Sequence, residues 1–277
     1  MKKTIAATLL AASMSTAFAA DANVCNIVID YPAGGTSDQY VRLLQKNNPN
    51  IQIEYRPGGG GALAIHQLNE NKNYAWFGSP VFALSNSPVK DPPVELVRIL
   101  VGAPILAVTN KNITWEQILS GKKINIGVPA IGTSHQLIGL QLKEHNPNIE
   151  VIPTSGDNKA LPMVMNGDLD VYLISATAGL KWIDDFKVQN IFTVTYNKPF
   201  VKGKVELNYL GFNGIFVHKD ATPEQKAHLM ACVETATTPK DWQETLKKMG
   251  AEPIDLTGAE KDKAFAKFVQ LLRKYNQ

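Results

Sequence analysis

PAGGTSDQYVRLLQKNNPNI, residues 32–51, recurs as PAIGTSHQLIGLQLKEHNPNI, residues 129–149. Aligned without a gap, Pro32, Ala33, Gly35, Thr36, Ser37, Gln39, Leu43 and Lys46 match Pro129, Ala130, Gly132, Thr133, Ser134, Gln136, Leu140 and Lys143. With one residue inserted, Asn48-Pro49-Asn50-Ile51 then matches Asn146-Pro147-Asn148-Ile149. Copies separated by about a hundred residues are too far apart for a solenoid repeat and suit two similar lobes.

The flanks of the two copies agree with that reading. Val24–Tyr31 is a near-continuous apolar run, the pattern of a buried central strand, and Ile124–Val128 holds the same place before the second copy. Tyr40, Val41, Leu43 and Leu44 predict one helical apolar face; Leu137, Ile138, Leu140 and Leu142 predict another. Ile51–Tyr55 and Ile149–Ile152 alternate as strands, and further strands are expected at Tyr74–Ser79, Val171–Ala176 and Ile191–Tyr196. The class is therefore α/β with mostly parallel sheets flanked by helices. Three helices end the chain, at Thr222–Thr237 with Pro223 at the first helical position, Lys240–Met249 stopped by Gly250, and Ala259–Tyr275. They are expected to return to the first lobe, with crossings at Ala103–Thr109 and Phe212–Val217. That layout belongs to a hinged two-lobe receptor, with residues 20–105 and 217–277 as one lobe and 106–216 as the other.

The chain has 277 residues, 44% of them hydrophobic, enough for one large or two medium domains. Residues 1–20 combine Lys2 and Lys3, a short apolar stretch and Ala17-Phe18-Ala19, the pattern of a secretory signal peptide occupying residues 1–19. No other segment approaches the roughly 18 uninterrupted apolar residues of a membrane span. The formal charge of +3 falls close to neutrality once Lys2 and Lys3 are removed, which takes away the main support for a nucleic-acid partner. The expected location is the periplasm. In that oxidising compartment Cys25 and Cys232 can form one disulfide, the alternative being two buried thiols.

The repeated loops carry the chemistry. A helix start leaves about four backbone N–H groups unpaired and bears about half a positive charge, so it attracts an anion. Gly34, Gly35 and Gly132 let a ligand approach the backbone, and the hydroxyls of Thr36, Ser37, Thr133 and Ser134 can add donors. Those four residues can equally be helix N-caps, and Asp38 can simply compensate a helix dipole. In the gapless alignment His135 is the counterpart of Asp38, and selectivity is expected there first. Ala33 and Ile131 complete the two loops. Ser79 and Ser175 end predicted strands, at the carboxyl edge where α/β sheets hold ligands.

Other chemistries find little support. Arg56-Pro57-Gly58-Gly59-Gly60-Gly61 lacks the order of a phosphate loop and reads best as a tight turn. Adjacent Ser134 and His135 make poor geometry for a nucleophile and its base, and no Gly-x-Ser-x-Gly elbow occurs. The five histidines show no metal-ligand spacing, and the four tryptophans suit core or interface positions. No catalytic residue, metal or cofactor is expected.

The motifs YPAGGTSD (31–38), YRPGGGG (55–61), GVPAIGTSHQL (127–137), MNGDLDVYLISA (165–176) and the TPEQ…LKKMGAEP tail (222–253) together resemble the periplasmic substrate-binding proteins of tripartite tricarboxylate transporters, the Bug-type receptors. The resemblance spans nearly the whole chain after the leader. It implies a two-lobe, type II-like periplasmic binding protein fold that closes on a small carboxylated or amino-acid-like solute. It also implies delivery to membrane transporter subunits by a monomeric receptor, with the first loop and Gly132–His135 holding the ligand. The chain departs from the family's pattern at Thr154-Ser155-Gly156 and at Gly78-Ser79-Pro80-Val81, where an aromatic-basic element and a Thr-rich segment are usual. The departure argues against citrate-like tricarboxylates and towards a mono- or dicarboxylate, or an amino acid whose ammonium Asp38 could meet. Two other roles are weighed: presenting a ligand to a membrane sensor kinase, and periplasmic hydrolysis.

Overall fold

The computed structural model describes residues 23–58, 61–80 and 91–275. The signal peptide expected at 1–19, Gly59-Gly60 of the glycine run and Val81 lie outside them. The chain opens with β1 (Cys25–Ile29), α1 (Thr36–Asn47), β2 (Ile51–Tyr55), α2 (Ala62–Glu70), β3 (Tyr74–Gly78) and β4 (Val94–Gly102). Beyond Ala103-Pro104 come β5 (Ile105–Thr109), the short α3 (Trp115–Ile118), β6 (Ile124–Val128), α4 (Ser134–His145), β7 (Ile149–Pro153), α5 (Asp157–Asn166), β8 (Val171–Ser175), α6 (Ala176–Phe186) and β9 (Gln189–Val194). A hairpin of β10 (Phe200–Lys202) and β11 (Val205–Leu207) leads to β12 (Asn213–His218), α7 (Pro223–Thr237), α8 (Lys240–Lys248), β13 (Glu252–Leu256) and α9 (Gly258–Tyr275).

The strands form two main sheets, ordered β13-β4-β12-β3-β1-β2 and β7-β6-β8-β5-β9. In each, the apolar run ahead of the repeated loop is the central strand, parallel to both neighbours: β1 between β2 and β3, β6 between β7 and β8. Successive apolar side chains are tolerated there because helices cover both faces of the sheet. The two crossing segments end as the reversed strands. β5 leaves β4 and runs antiparallel to β8 and β9 in the second sheet, while β12 returns antiparallel to β3 and β4 in the first. Each sheet is therefore mixed, with a reversed strand inserted next to the third of a parallel set, and in the first sheet the edge strand β13 is reversed as well.

Both faces of each sheet are packed. Ile27, Ile29, Tyr40, Val41 and Leu44 meet Leu229, Val233 and Leu246 on one face of the first sheet, and Val28, Ile65, Leu68 and Trp76 meet Phe216, Phe268 and Leu272 on the other. Each such fully buried aliphatic or aromatic side chain contributes about 1.5–3 kcal/mol. The tail helices do this covering: α7 packs on α1 and β1, and α9 on β4. Cys25, at the start of β1, forms a disulfide with Cys232 of α7, with Cα atoms 6.5 Å apart. Leu137 of α4 joins the core of the first sheet, so the two halves share packing near the crossings. Tyr209 adds a hydrogen bond there, its hydroxyl donating to the Ala103 carbonyl at 2.7 Å.

Candidate functional site

The two repeated loops leave the carboxyl ends of β1 and β6 and open α1 and α4. Both turn on a glycine in the left-handed region, Gly34 at φ +86° and Gly132 at φ +80°, a conformation that residues with a Cβ rarely adopt. The next residue is the extended N-cap, Gly35 in one copy and Thr133 in the other. The N–H of each left-handed glycine donates four residues onward, Gly34 to Asp38 Oδ2 at 2.8 Å and Gly132 to Gln136 Oε1 at 2.6 Å. At the far end of each 12-residue helix the chain turns the same way. Asn50 N–H donates to Asn48 Oδ1 and Asn148 N–H to Asn146 Oδ1.

These contacts correct the gapless sequence match by one residue. Gly34 corresponds to Gly132, Ser37 to His135 and Asp38 to Gln136, and no residue is inserted after the helix. The length difference lies ahead of the glycine: β1 and β6 align from Cys25 with Ile124, which sets Asp30 against Pro129. Among the four hydroxyl residues only Thr133 is an N-cap, its Oγ1 accepting from Gln136 N–H. Thr36, Ser37 and Ser134 lie inside the first turns of their helices.

Asp38 is buried, its side chain 3% exposed. Besides the Gly34 N–H, its carboxylate accepts from the Tyr55 hydroxyl at 2.7 Å and from Arg42 Nε at 2.9 Å. Burial pushes its pKa up, but these hydrogen bonds and the Arg42 charge outweigh it, and the net shift is downward. Asp38 is thus turned into its own lobe. Across the second loop, His135 Nε2 lies 3.2 Å from Ser175 Oγ, while His135 Nδ1 is buried without a hydrogen-bond partner among the described residues. Burial lowers this imidazole to about 4, so it is neutral at physiological pH. Among the described residues no carboxylate hydrogen-bonds to the ring, so the Ser–His pair has no third member of a hydrolytic triad there. Ser134 instead packs beside Gly211, where a Cβ would collide with its hydroxyl.

The remaining expected residues divide by exposure. Ala33, Gly34 and Ile131 form exposed loop tips, Gly35, Thr36, Ser79 and Ser175 are half-buried, and Ser37, Gly132 and Thr133 are buried. The halves meet where Tyr40 of α1 and Thr177 of α6 share a hydrogen bond of 2.8 Å. Three further residues lie at the same edge, outside the ligand set expected from the sequence. Asp30, directly after β1, is 8% exposed and accepts from Trp76 Nε1 at 3.2 Å; burial raises it to about 6. Asp157, opening α5, accepts from the Tyr172 hydroxyl at 2.7 Å and is likewise raised by burial. The Tyr31 phenol is raised by burial and, to a smaller extent, by the charges of Asp30 and Asp157. Among the described residues, the metal-ligating side chains that gather closely are Cys25, His228 and Cys232. The disulfide occupies both sulfurs of that group.

No family model matches the sequence, and no curated protein matches it. Solved structures do match. They include a TctC solute binding protein from Polaromonas, with no ligand (16% identity, TM-score 0.62, 90% of this chain and 97% of that one). The periplasmic binding protein BugD matches at 19% identity and TM-score 0.70, over 91% of this chain and 94% of its own. MatC from Rhodopseudomonas palustris, with bound malate, matches at 20% identity and TM-score 0.66, over 91% and 96%. This chain has the two-lobe periplasmic binding protein fold that these structures share.

Proposed function

We propose that the chain is a solute-binding receptor of the tripartite tricarboxylate transporter type, which closes two lobes on a small carboxylate and delivers it to membrane subunits. The observation that carries this reading is the pair of left-handed glycine loops, one from each sheet, each opening a helix at the carboxyl edge. Unpaired N–H groups at the starts of α1 and α4 would bind the carboxylate, together with the hydroxyls of Thr36, Ser37 and Ser134. His135 Nδ1, with no protein partner among the described residues, is available to the same anion. Malate in MatC is a precedent for a small carboxylate on this fold. The lobes proposed from the sequence are residues 20–105 with 217–277, and 106–216, with crossings at Ala103-Pro104 and near Gly211; because β12 joins the first sheet from Asn213, the second boundary belongs near residue 212. No described helix is long and apolar enough to cross a membrane. With a leader at 1–19, the working location is the periplasm and the receptor a monomer.

The test is a thermal-shift screen against malate, succinate, adipate, citrate and a set of amino acids. A cognate solute at 100 times its Kd adds about 2.7 kcal/mol. For a protein of this size that raises Tm by about 5–10 °C. No shift with any of these probes would refute the receptor reading.

A further inference from the structure

At the amino end of β1, on the edge of the first sheet opposite the repeated loops, three metal-ligating side chains stand together. The Sγ atoms of Cys25 and Cys232 and a ring nitrogen of His228 all lie within 4.8 Å of one another. His228 and Cys232 are four residues apart on α7, so one helix face presents both. His228 Nε2 is 3.5 Å from Cys25 Sγ and 3.1 Å from the Val24 carbonyl oxygen. A carbonyl oxygen only accepts, so Nε2 carries the ring proton, on the side of the ring that faces Cys25.

A disulfide does not need an imidazole beside it, and the fold does not need sulfur at this place. Ile124 holds the position of Cys25 at the start of β6, so an apolar side chain is enough for the strand start. The three ligands are also held by bonds that do not pass through the sulfurs. Asn48 Nδ2 donates to the Cys232 carbonyl at 3.1 Å, Asn47 Nδ2 to the Ala236 carbonyl at 2.9 Å, and Cys25 N–H to the Asn50 carbonyl at 3.0 Å. Leu229 and Val233 of α7 share one core with Ile27 and Leu44. The frame that carries Cys25, His228 and Cys232 is thus built from α1, β1 and α7 and does not depend on the S–S bond.

We propose that the reduced chain carries a second binding site, for Zn²⁺, made of the Cys25 and Cys232 thiolates and His228 Nε2, and independent of the receptor reading above. A dithiol opens the disulfide by exchange: it gives up two electrons and two protons and becomes a disulfide itself, while Cys25 and Cys232 become thiols. Zn²⁺ then displaces the two thiol protons, and the Nε2 proton moves to Nδ1 as Nε2 takes the metal. Two thiolates balance the divalent charge, which suits residues only 1% and 7% exposed. Tetrahedral ligand atoms about 2.0–2.3 Å from zinc stand about 3.5–4 Å from one another, the spacing that His228 Nε2 already keeps from Cys25 Sγ. The sulfurs reach it by rotation about their Cα–Cβ bonds. His228 is half-buried, so water can take the fourth position beside it.

The experiment reduces the folded chain with a phosphine, removes the phosphine without air, and titrates Zn²⁺ in competition with a chromogenic chelator. Co²⁺ is titrated in parallel, because its thiolate charge-transfer band in the near ultraviolet reports sulfur ligation. The reduced chain should bind a single Zn²⁺ and show the cobalt band, and zinc at 100 times its Kd should raise Tm by about 5–10 °C; the oxidised chain should do none of these. His228→Ala should weaken zinc binding by at least about 10–100-fold, the loss that follows removal of even an outer-shell partner. Cys25→Ala should abolish it. Cys232→Ala gives the same readout should the first variant fold poorly, and circular dichroism reports folding of both. Zinc held equally by the oxidised chain or by both cysteine variants, an affinity unchanged in His228→Ala, no binding by the reduced chain, or a disulfide that the phosphine does not open each overturns the inference.

Discussion

Replacing Asp38 by Ala separates a ligand-selecting carboxylate from one that builds the loop. Its side chain is 3% exposed and holds two inward donors, Gly34 N–H at 2.8 Å and the Tyr55 hydroxyl at 2.7 Å. Each hydrogen bond to a charged acceptor contributes about 1.5–3 kcal/mol. The ion pair with Arg42, whose side chain is 56% exposed, adds about 0–1 kcal/mol. Asp38→Ala should therefore cost about 3–7 kcal/mol. Gln136→Ala, which removes one neutral acceptor from the equivalent Gly132 N–H, should cost about 0.5–1.5 kcal/mol. The folded-state pKa of Asp38 lies below its ordinary value. Its contribution is thus complete above about pH 4 and disappears as the pH falls through the folded-state value, so the gap between wild type and variant closes in acid. Urea unfolding followed by tryptophan fluorescence measures the cost. The thermal-shift screen then measures binding, which should weaken by a common factor with the rank order of solutes kept. A variant as stable as wild type that reorders the solutes would refute this reasoning and return Asp38 to the ligand.

Asp30 and His135 titrate against each other. Asp30 is raised to about 6, so its contribution falls as the pH rises from about 4 to 6; His135 is lowered to about 4, so its contribution is lost as the pH falls from about 6.5 to 4, each by about 3 kcal/mol. Asp30→Asn should therefore be more stable than wild type at pH 8 by up to about 3 kcal/mol, and should expose a stability that climbs between pH 4 and 6.5, whereas His135→Gln should expose the opposite slope; urea midpoints that keep the wild-type pH profile in both variants would contradict these environments. The Cys25–Cys232 disulfide spans a sequence separation of 207, for which the chain-entropy treatment gives about 5 kcal/mol, near the upper end of measured values. Guanidinium unfolding with and without a phosphine reductant should differ by about 2–5 kcal/mol, and identical midpoints would mean that the bond adds nothing to stability.

The elements were legible where one physical signal dominated. The apolar runs at Val24–Tyr31 and Ile124–Val128 predict central strands because few other positions tolerate such a run. The Thr222-Pro223 start of α7 is a complete capping box with Gln225. Register inside the repeat was harder. A gapless match maximises identities at Pro-Ala-x-Gly-Thr-Ser, but it forces an insertion near the end of a helix, which would turn the following face by about 100°. Two 12-residue helices with identical Asn caps exclude that insertion, and the difference moves into the loop, where an extra residue changes no helix face. Asp30 was invisible for a related reason. An aspartate ending a strand reads as a boundary, and nothing in the linear pattern joins it to Trp76 or Asp157. Aligning the copies from the strands would have drawn attention to it, since Asp30 then stands against a proline.

With the register corrected, the duplicated unit acts as its own control: what the copies share makes the loop, and what differs gives the cleft a direction. Gly34 and Gly132 both need an acceptor four residues on, and Asp38 and Gln136 both supply one. The acceptors differ in charge. Asp38 puts a carboxylate in the first turn of α1, where it offsets the positive helix end, whereas Gln136 is neutral and leaves the end of α4 uncompensated. On the α4 side His135 takes the place of Ser37 and offers a buried ring nitrogen. On the α1 side Asp30 takes the place of Pro129 and offers a buried carboxylate. Under the proposed receptor reading, the anionic end of a solute would therefore favour α4 and His135 over α1, whose helix end Asp38 already offsets.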